Sequence, residues 1–344
     1  MGNSYFLGAN TSSGFAHCAE DVLNTAEKLY IIKGGPGTGK SRLMEEIAKA
    51  AEAKNMLCDR YYCSSDPSSL DGIYVHDIGL CLTDGTAPHM RDPRYPGAVD
   101  EIVDLSRFWN TAHLESDKDT ITSLCNKKKK LYDEVYAYMS ACDDLFEAEK
   151  IILESCVAKE KICDFVKRVF RSRGTGSGFS LTKRQTQAIG MKGSVSFDTF
   201  ASTSNEVYLI SDTRGIDIAV YDAVIEELKR RDYSAYVSHD PMRNMVINAV
   251  FVPELSMAFT SKASDTESCK IINTDRFIIK KKISENRSKL RRVSHLRNEL
   301  KDVILTRFKE ISAVHFALED IYIGAMDFKK KEEFTAELKV KIFG

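Results

Sequence analysis

Residues 29–47, LYIIKGGPGTGKSRLMEEI, set an apolar run against four glycines, a proline and a Lys-Ser pair, followed by a helical pattern. A strand ending at Lys33, then Gly34-x-x-x-x-Gly39-Lys40-Ser41, then a helix to about Ala53 is the order in which backbone N–H groups wrap a phosphate chain. Gly34, Gly37 and Gly39 let the amides face an anion without a Cβ in the way, and Gly35, Pro36 and Thr38 complete the loop, with Arg42 following in the first helical turn. Lys40 is expected to bridge the β- and γ-phosphates, and Ser41 to place its hydroxyl on Mg²⁺. The predicted cofactors are ATP and Mg²⁺. The plain alternative is a glycine-rich turn in front of a helix, which does not require the full eight-residue pattern.

Such a loop needs a carboxylate at the end of a neighbouring apolar strand to order the magnesium shell. IGLCLTDGTAPH supplies Asp84, after Ile78, Leu80 and Leu82; the ordinary alternative is a turn residue before Gly85. The residue after Asp84 is glycine rather than the glutamate that polarises water in many mechanical ATPases, which favours a kinase-like site or slow hydrolysis. Asp71, in CSSDPSSLDG, is a candidate catalytic carboxylate, and His89, in TAPHM, a candidate contact to phosphate or substrate. Asp71 is expected to have no counterpart later in the chain, and against the role of His89 stands that of a polar surface histidine. Asp66, before Pro67, reads equally as a turn residue.

The chain echoes itself. YYCSSDP is answered by AYVSHDP, aligning Asp66 with Asp240; IVDLSRFW is answered by IINTDRFI, aligning Arg107 with Arg276 at a shift of 169 that still holds at Phe165 and Phe334. This order of matches predicts a tandem duplication. Shifted by 178, the second half sets DTRGIDIA against the loop, so that Ile218 replaces Lys40 and Ala219 replaces Ser41; at 177, Ser261 replaces Asp84. All three expected ligands are lost together, as a degenerate second site requires. The expected fold is α/β, a P-loop NTPase with a mostly parallel sheet in each half. Apolar stripes through Leu131, Val135 and Cys142, and through Ile304, Phe308 and Ile311, predict a helical hairpin or bundle extending each half, over about 111–170 and 280–340. The expected division is 1–172, a linker at 173–187, and 188–344. Arg214 and Arg231 are candidate contributions from the second half to the first.

Of 344 residues, 43% are apolar and 29% charged, with a formal net charge of −1, so no global field draws the chain to nucleic acid or to an acidic membrane. The run Lys127–Lys130 reads as a solvated helix face. Nine cysteines, never spaced C-x-x-C, fit reduced thiols. Neither a secretory signal nor an apolar window of about 18 residues is present, so a cytoplasmic protein without membrane contact is expected. Its partners are a nucleotide and either a small molecule or a protein, and oligomerisation is open.

YIIKGGPGTGKS, YCSSDPSSLDG, LTDGTAPHMRDPRYPGAVDEIVDL and the doubled layout together resemble a bacterial family of duplicated P-loop proteins described as ATPases or nucleotide-kinase-like proteins. The resemblance spans nearly the whole chain and implies a P-loop fold in both halves. SDTRGIDIAV departs from that family's second phosphate loop. Two function classes follow: an enzyme that hydrolyses ATP or transfers its γ-phosphoryl group, and an ATP-controlled switch whose helical arms engage a protein partner. A chromosome-type ATPase is disfavoured, because no LSGGQ-like segment is present.

Overall fold

The structure, a computed structural model, describes residues 2–243, 246–262 and 269–344. The first half runs β1 (Ser4–Phe6), the hairpin β2 (Gly8–Thr11) and β3 (Gly14–His17), α1 (Glu20–Thr25), β4 (Lys28–Lys33), α2 (Lys40–Ala53), β5 (Cys58–Tyr62), β6 (Leu70–Val75), β7 (Leu80–Asp84) and β8 (Asp100–Asp104). Three helices follow: α3 (Thr111–Ser116), α4 (Lys118–Glu154) and α5 (Lys159–Val169). The second half begins β9 (Leu181–Lys183), the hairpin β10 (Gln187–Gly190) and β11 (Gly193–Ser196), α6 (Thr199–Ser202), β12 (Glu206–Ser211) and α7 (Asp217–Arg230). It continues through β13 (Ala235–His239), β14 (Ile247–Val252), β15 (Met257–Thr260), β16 (Cys269–Asn273), α8 (Lys280–Ala325) and α9 (Phe328–Phe343).

Two six-stranded sheets result, in the orders β1-β5-β6-β7-β4-β8 and β9-β13-β14-β15-β12-β16. Strand for strand they have the same directions: three parallel pairs, and an antiparallel run through β5-β6-β7 or β13-β14-β15. The antiparallel run was not expected from the sequence. Its cause is loop length, since parallel neighbours need a crossover of about a dozen residues or more and 63–69 and 76–79 are too short.

Strand registers also fix how the halves correspond. Lys28 pairs with Leu80 as Glu206 pairs with Met257, reproducing the shifts of 178 and 177, and Leu29 with Asp100 as Val207 with Cys269, reproducing 169. One alignment is corrected. Tyr62 pairs with Leu70 and His239 with Ile247, so Arg243, not Asp240, stands opposite Asp66, and Asn248 is the counterpart of Asp71. The shared Asp-Pro pairs lie in loops, where likeness of residues does not set register.

Along β4, alternate residues face opposite ways. Tyr30 and Ile32 pack outward with Leu43, Met44 and Ile47 of α2, while Leu29 and Ile31 face inward. The inner faces of both sheets share one core, in which Cys81 and Tyr61 meet Ala249, Ala258 and Phe251.

The helical arms depart from expectation. Instead of each half carrying its own hairpin, α4 and α8 pair with each other, burying Leu131, Val135, Met139 and Cys142 against Ile304, Phe308, Ile311 and Val314. They run antiparallel, because isolated bridges tie Trp109 to Met326 at one end and Val157 to Ile278 at the other. At 37 and 46 residues they extend about 55 and 70 Å. Each then delivers a short helix to the opposite half. Ile162, Val166 and Phe170 at α5 enter the core around α7, and Leu338 of α9 enters the core around α2. Arg107 stacks 4.2 Å over Phe334, and Arg276 stacks 5.0 Å over Phe165. The matched Arg and Phe positions are therefore the clasps of a reciprocal helix exchange. A boundary at 172 cuts through it, and the segment 173–187 contains the edge strand β9. Three residues are too few to register as an apolar run beside so many glycines and serines. Among the described residues, no helix is long and apolar enough to cross a membrane.

Candidate functional site

The chain leaves β4 at Lys33 and turns back through residues 34–39 into α2. Gly37 and Gly39 hold φ of 69° and 80°, values that favour glycine and turn successive amides into one concavity. Lys40 crosses the loop beneath them: its Nζ donates to the carbonyls of Gly34 and Gly35, both at 2.8 Å. Thr38 Oγ1 closes the turn by donating to Gly35 O at 2.9 Å. Ser41 Oγ accepts from the Leu70 amide at 2.9 Å, fixing α2 against β6. Arg42 turns outward to Glu332 and Glu46, at 3.2 and 3.5 Å.

Asp84 ends β7 level with Ile32, the residue before Lys33, and its carboxylate lies 3.5 Å from Lys40 Nζ. Its other oxygen accepts from Thr86 N and Oγ1 at 2.8 and 2.6 Å. Burial pushes the Asp84 carboxyl above the usual range; Asp71 adds to this, while Lys40 and Thr86 offset it in part. Ser41 and Asp84 are hard oxygen donors. Among the described residues no three His, Cys, Asp or Glu side chains cluster as a metal site. Two protein donors, with the remaining shell left to water and substrate phosphates, fit Mg²⁺ carried in with a nucleotide.

Asp71 and His89 come together. His89 Nε2 and Asp71 Oδ2 are hydrogen-bonded at 2.9 Å, and each residue is 6% exposed. Burial opposes the imidazolium, but the bond to Asp71 and its charge outweigh it, and the His89 pKa is raised. Lys33 pins the loop carrying His89, donating to Gly85 O at 2.7 Å and Arg91 O at 2.9 Å. Asp66 instead closes its own turn, accepting from Ser68 Oγ at 2.6 Å. Arg214 pairs with Asp275, and Arg231 with Glu227, so neither reaches the first half.

Compared with known proteins, the chain matches no family model, no curated protein and no solved structure.

Several residues at the loop come from elements remote in sequence. A methyl group placed on Gly35 would fall 2.8 Å from Tyr322 Cε1, and one on Gly37 would fall 2.9 Å from Glu319 O and from Ile323 Cγ1, so α8 lies directly on the loop. Glu319 is held below the usual carboxylate range, chiefly by its bond to His315, with the Gly37 amide contributing. His315 Nδ1 also meets Lys128 Nζ at 2.9 Å. Lys128 is half-buried while Lys127, Lys129 and Lys130 are exposed, so the lysine run is a solvated face at three of its four positions. Burial lowers the Lys128 pKa, and the nearby Lys40 charge adds to the effect. The sequence held a signal for it: Lys128 continues the stripe of Leu124, Leu131 and Val135. Lys331 likewise sits at helical spacing from Thr335 and Leu338, both buried.

The equivalent loop in the second half is occupied by its own side chain. The Asp212 carboxylate accepts from the amides of Gly215, Arg214 and Ile216 at 2.6, 3.1 and 3.2 Å. Arg243 clamps Asp217 at the start of α7 through two bonds of 2.9 and 2.8 Å. An internal carboxylate thus fills the amide concavity, and Ile218 takes the position that Lys40 holds in the first half.

Proposed function

We propose that the first half binds ATP with Mg²⁺ and hydrolyses it or transfers its γ-phosphoryl group, and that the second half is a degenerate P-loop unit, related by duplication, that braces the first. The observation carrying this reading is the convergence of the left-handed Gly37–Gly39 turn, Lys40 beneath it, and Asp84 on the adjacent parallel strand. Lys40 and the loop amides meet the phosphate chain and stabilise charge developing on the transferred group. Ser41 and Asp84 hold Mg²⁺, which supplies further neutralisation of phosphate charge when bound. The Asp71–His89 pair, buried and within electrostatic range of Asp84 and Lys40, orients the acceptor hydroxyl or water, whose proton passes to the Asp71 carboxylate.

The contact of α8 with Gly35 and Gly37 favours a second reading, in which nucleotide occupancy is felt along a helix shared by both halves and turnover is slow. ATP consumption with Mg²⁺, alone and with a panel of nucleosides, nucleotides and small metabolites, separates the two. Acceptor-dependent ADP formation, abolished by Lys40→Ala, identifies a phosphotransferase. Tight ATP binding with negligible turnover throughout identifies the switch. A Lys40→Ala variant that binds and consumes ATP as the parent does overturns both.

A further inference from the structure

The exchanged helix α9 brings a second cation to the phosphate loop. Lys331 is 1% exposed, and its Nζ has no hydrogen-bond partner. A methyl group placed on Gly39 would stand 3.4 Å from Lys331 Cε and 3.6 Å from Nζ, so the ammonium lies against the residue through which the loop turns into α2. The nearby Glu46 is already engaged, by Lys339 at 3.0 Å and Arg42 at 3.5 Å. A buried ammonium with no partner destabilises a fold, and an anion arriving beside it removes that penalty. An open cleft of about 680 Å³ between α2 and α9, lined by Ser41, Arg42, Glu45, Glu46, Lys49 and Glu332, adjoins this region at Ser41 and Glu332, the chain neighbours of Lys40 and Lys331.

We propose that Lys331 is a ligand of the nucleotide's phosphate chain, supplied to the first half's loop by a helix that crosses from the second. This rests on the nucleotide reading above and adds to it a contact that no phosphate-loop pattern contains. Lys40 enters from beneath the loop and Lys331 from the Gly39 side, so the two cations flank it. The rival is a lysine whose aliphatic stem packs and whose amine binds nothing.

Calorimetric titration of the full chain with Mg²⁺-ATP and with Mg²⁺-pyrophosphate, on the parent, Lys331→Met and Lys40→Ala, tests this, together with melting curves. Lys331→Met should melt at or above the parent temperature without ligand, because an unpaired ammonium has gone. It should bind both ATP and pyrophosphate about tenfold or more weakly. Lys331→Arg should stay closer to the parent. A measurement on the unaltered chain covers a variant that fails to fold: Mg²⁺-ATP should slow amide exchange in residues 328–343. ATP binding by Lys331→Met at parental affinity, alongside its loss in Lys40→Ala, overturns the role of Lys331 and leaves the nucleotide reading intact. So does an α9 whose exchange is unchanged by bound ATP. Weaker ATP binding with unaltered pyrophosphate binding refutes a phosphate contact, and a parent chain that binds no ATP removes both proposals.

Discussion

At the scale of single residues, the Asp71–His89 pair sets a pH signature. The folded pKa of His89 is raised, so its pairing stabilises fully below the unfolded value of about 6.5 and is lost as pH rises through the folded value. The melting-temperature gap between the parent and Asp71→Asn should therefore be wider at about pH 6 than at about pH 9. Equal gaps at both would mean that the pair is not charged when folded. Gly37→Ala meets two obstacles, a φ of 69° and neighbours 2.9 Å from the new methyl. It should cost about 1–2 kcal/mol from backbone strain alone, and chemical denaturation would register it. The left-handed turn at Gly37 and Gly39, Lys40 beneath it and Asp84 on the neighbouring strand were legible because a glycine-rich strand–loop–helix pattern fixes residue type and spacing locally. Lys331 and Lys128 were not, since a lysine in a helix carries no mark of what lies across from it. Only its place on an apolar stripe sets it apart.

At the scale of elements, strand and helix positions around the loop followed from sequence patterns, whereas partner choice did not. The stripes on α4 and α8 specify that each helix buries one face, and either an intramolecular hairpin within one half or a pairing across halves satisfies that demand. What decides is connection geometry: Trp109 with Met326 and Val157 with Ile278 fix the antiparallel pair at both ends. The short exchanged helices give a measurable consequence. Phe170, 0% exposed and stacked at 6.0 Å on Phe259, belongs to the second half's core although it precedes the second half in sequence. Phe170→Ala should cost about 3–5 kcal/mol. Hydrogen exchange should then show protection lost first in β12 and α7 rather than in β4 and α2. Loosening confined to the first half would contradict the exchange.

For the whole molecule, shared cores forbid a clean division. Removing residues after 172 strips Leu338 from the core around α2 and leaves the buried face of α4 without α8. A fragment of residues 1–172 should therefore show a broad, non-cooperative melt and negligible ATP binding. Residues 1–172 and 173–344 produced together should recover a cooperative transition, and a fragment 1–172 that melts sharply on its own would disprove the interdependence. The equality of strand order in the two sheets was foreshadowed by repeated residues, but the corrected pairing of Asp66 with Arg243 required strand register, a relation between chain segments that local likeness does not contain.

The ion pair between Glu46 and Lys339 joins residues 293 positions apart. At ribosomal speeds of about 5–20 residues per second, roughly 15–60 s separate the emergence of its two partners. During that interval a nascent chain already displays the whole phosphate-loop motif, yet it lacks the helix that packs behind it. A message truncated before α9 would thus yield a polypeptide with an intact signature and an unfinished pocket. On the proposed function, nucleotide capture follows completed synthesis, because α9 is the last helix to leave the ribosome and the loop it packs against is among the first elements made.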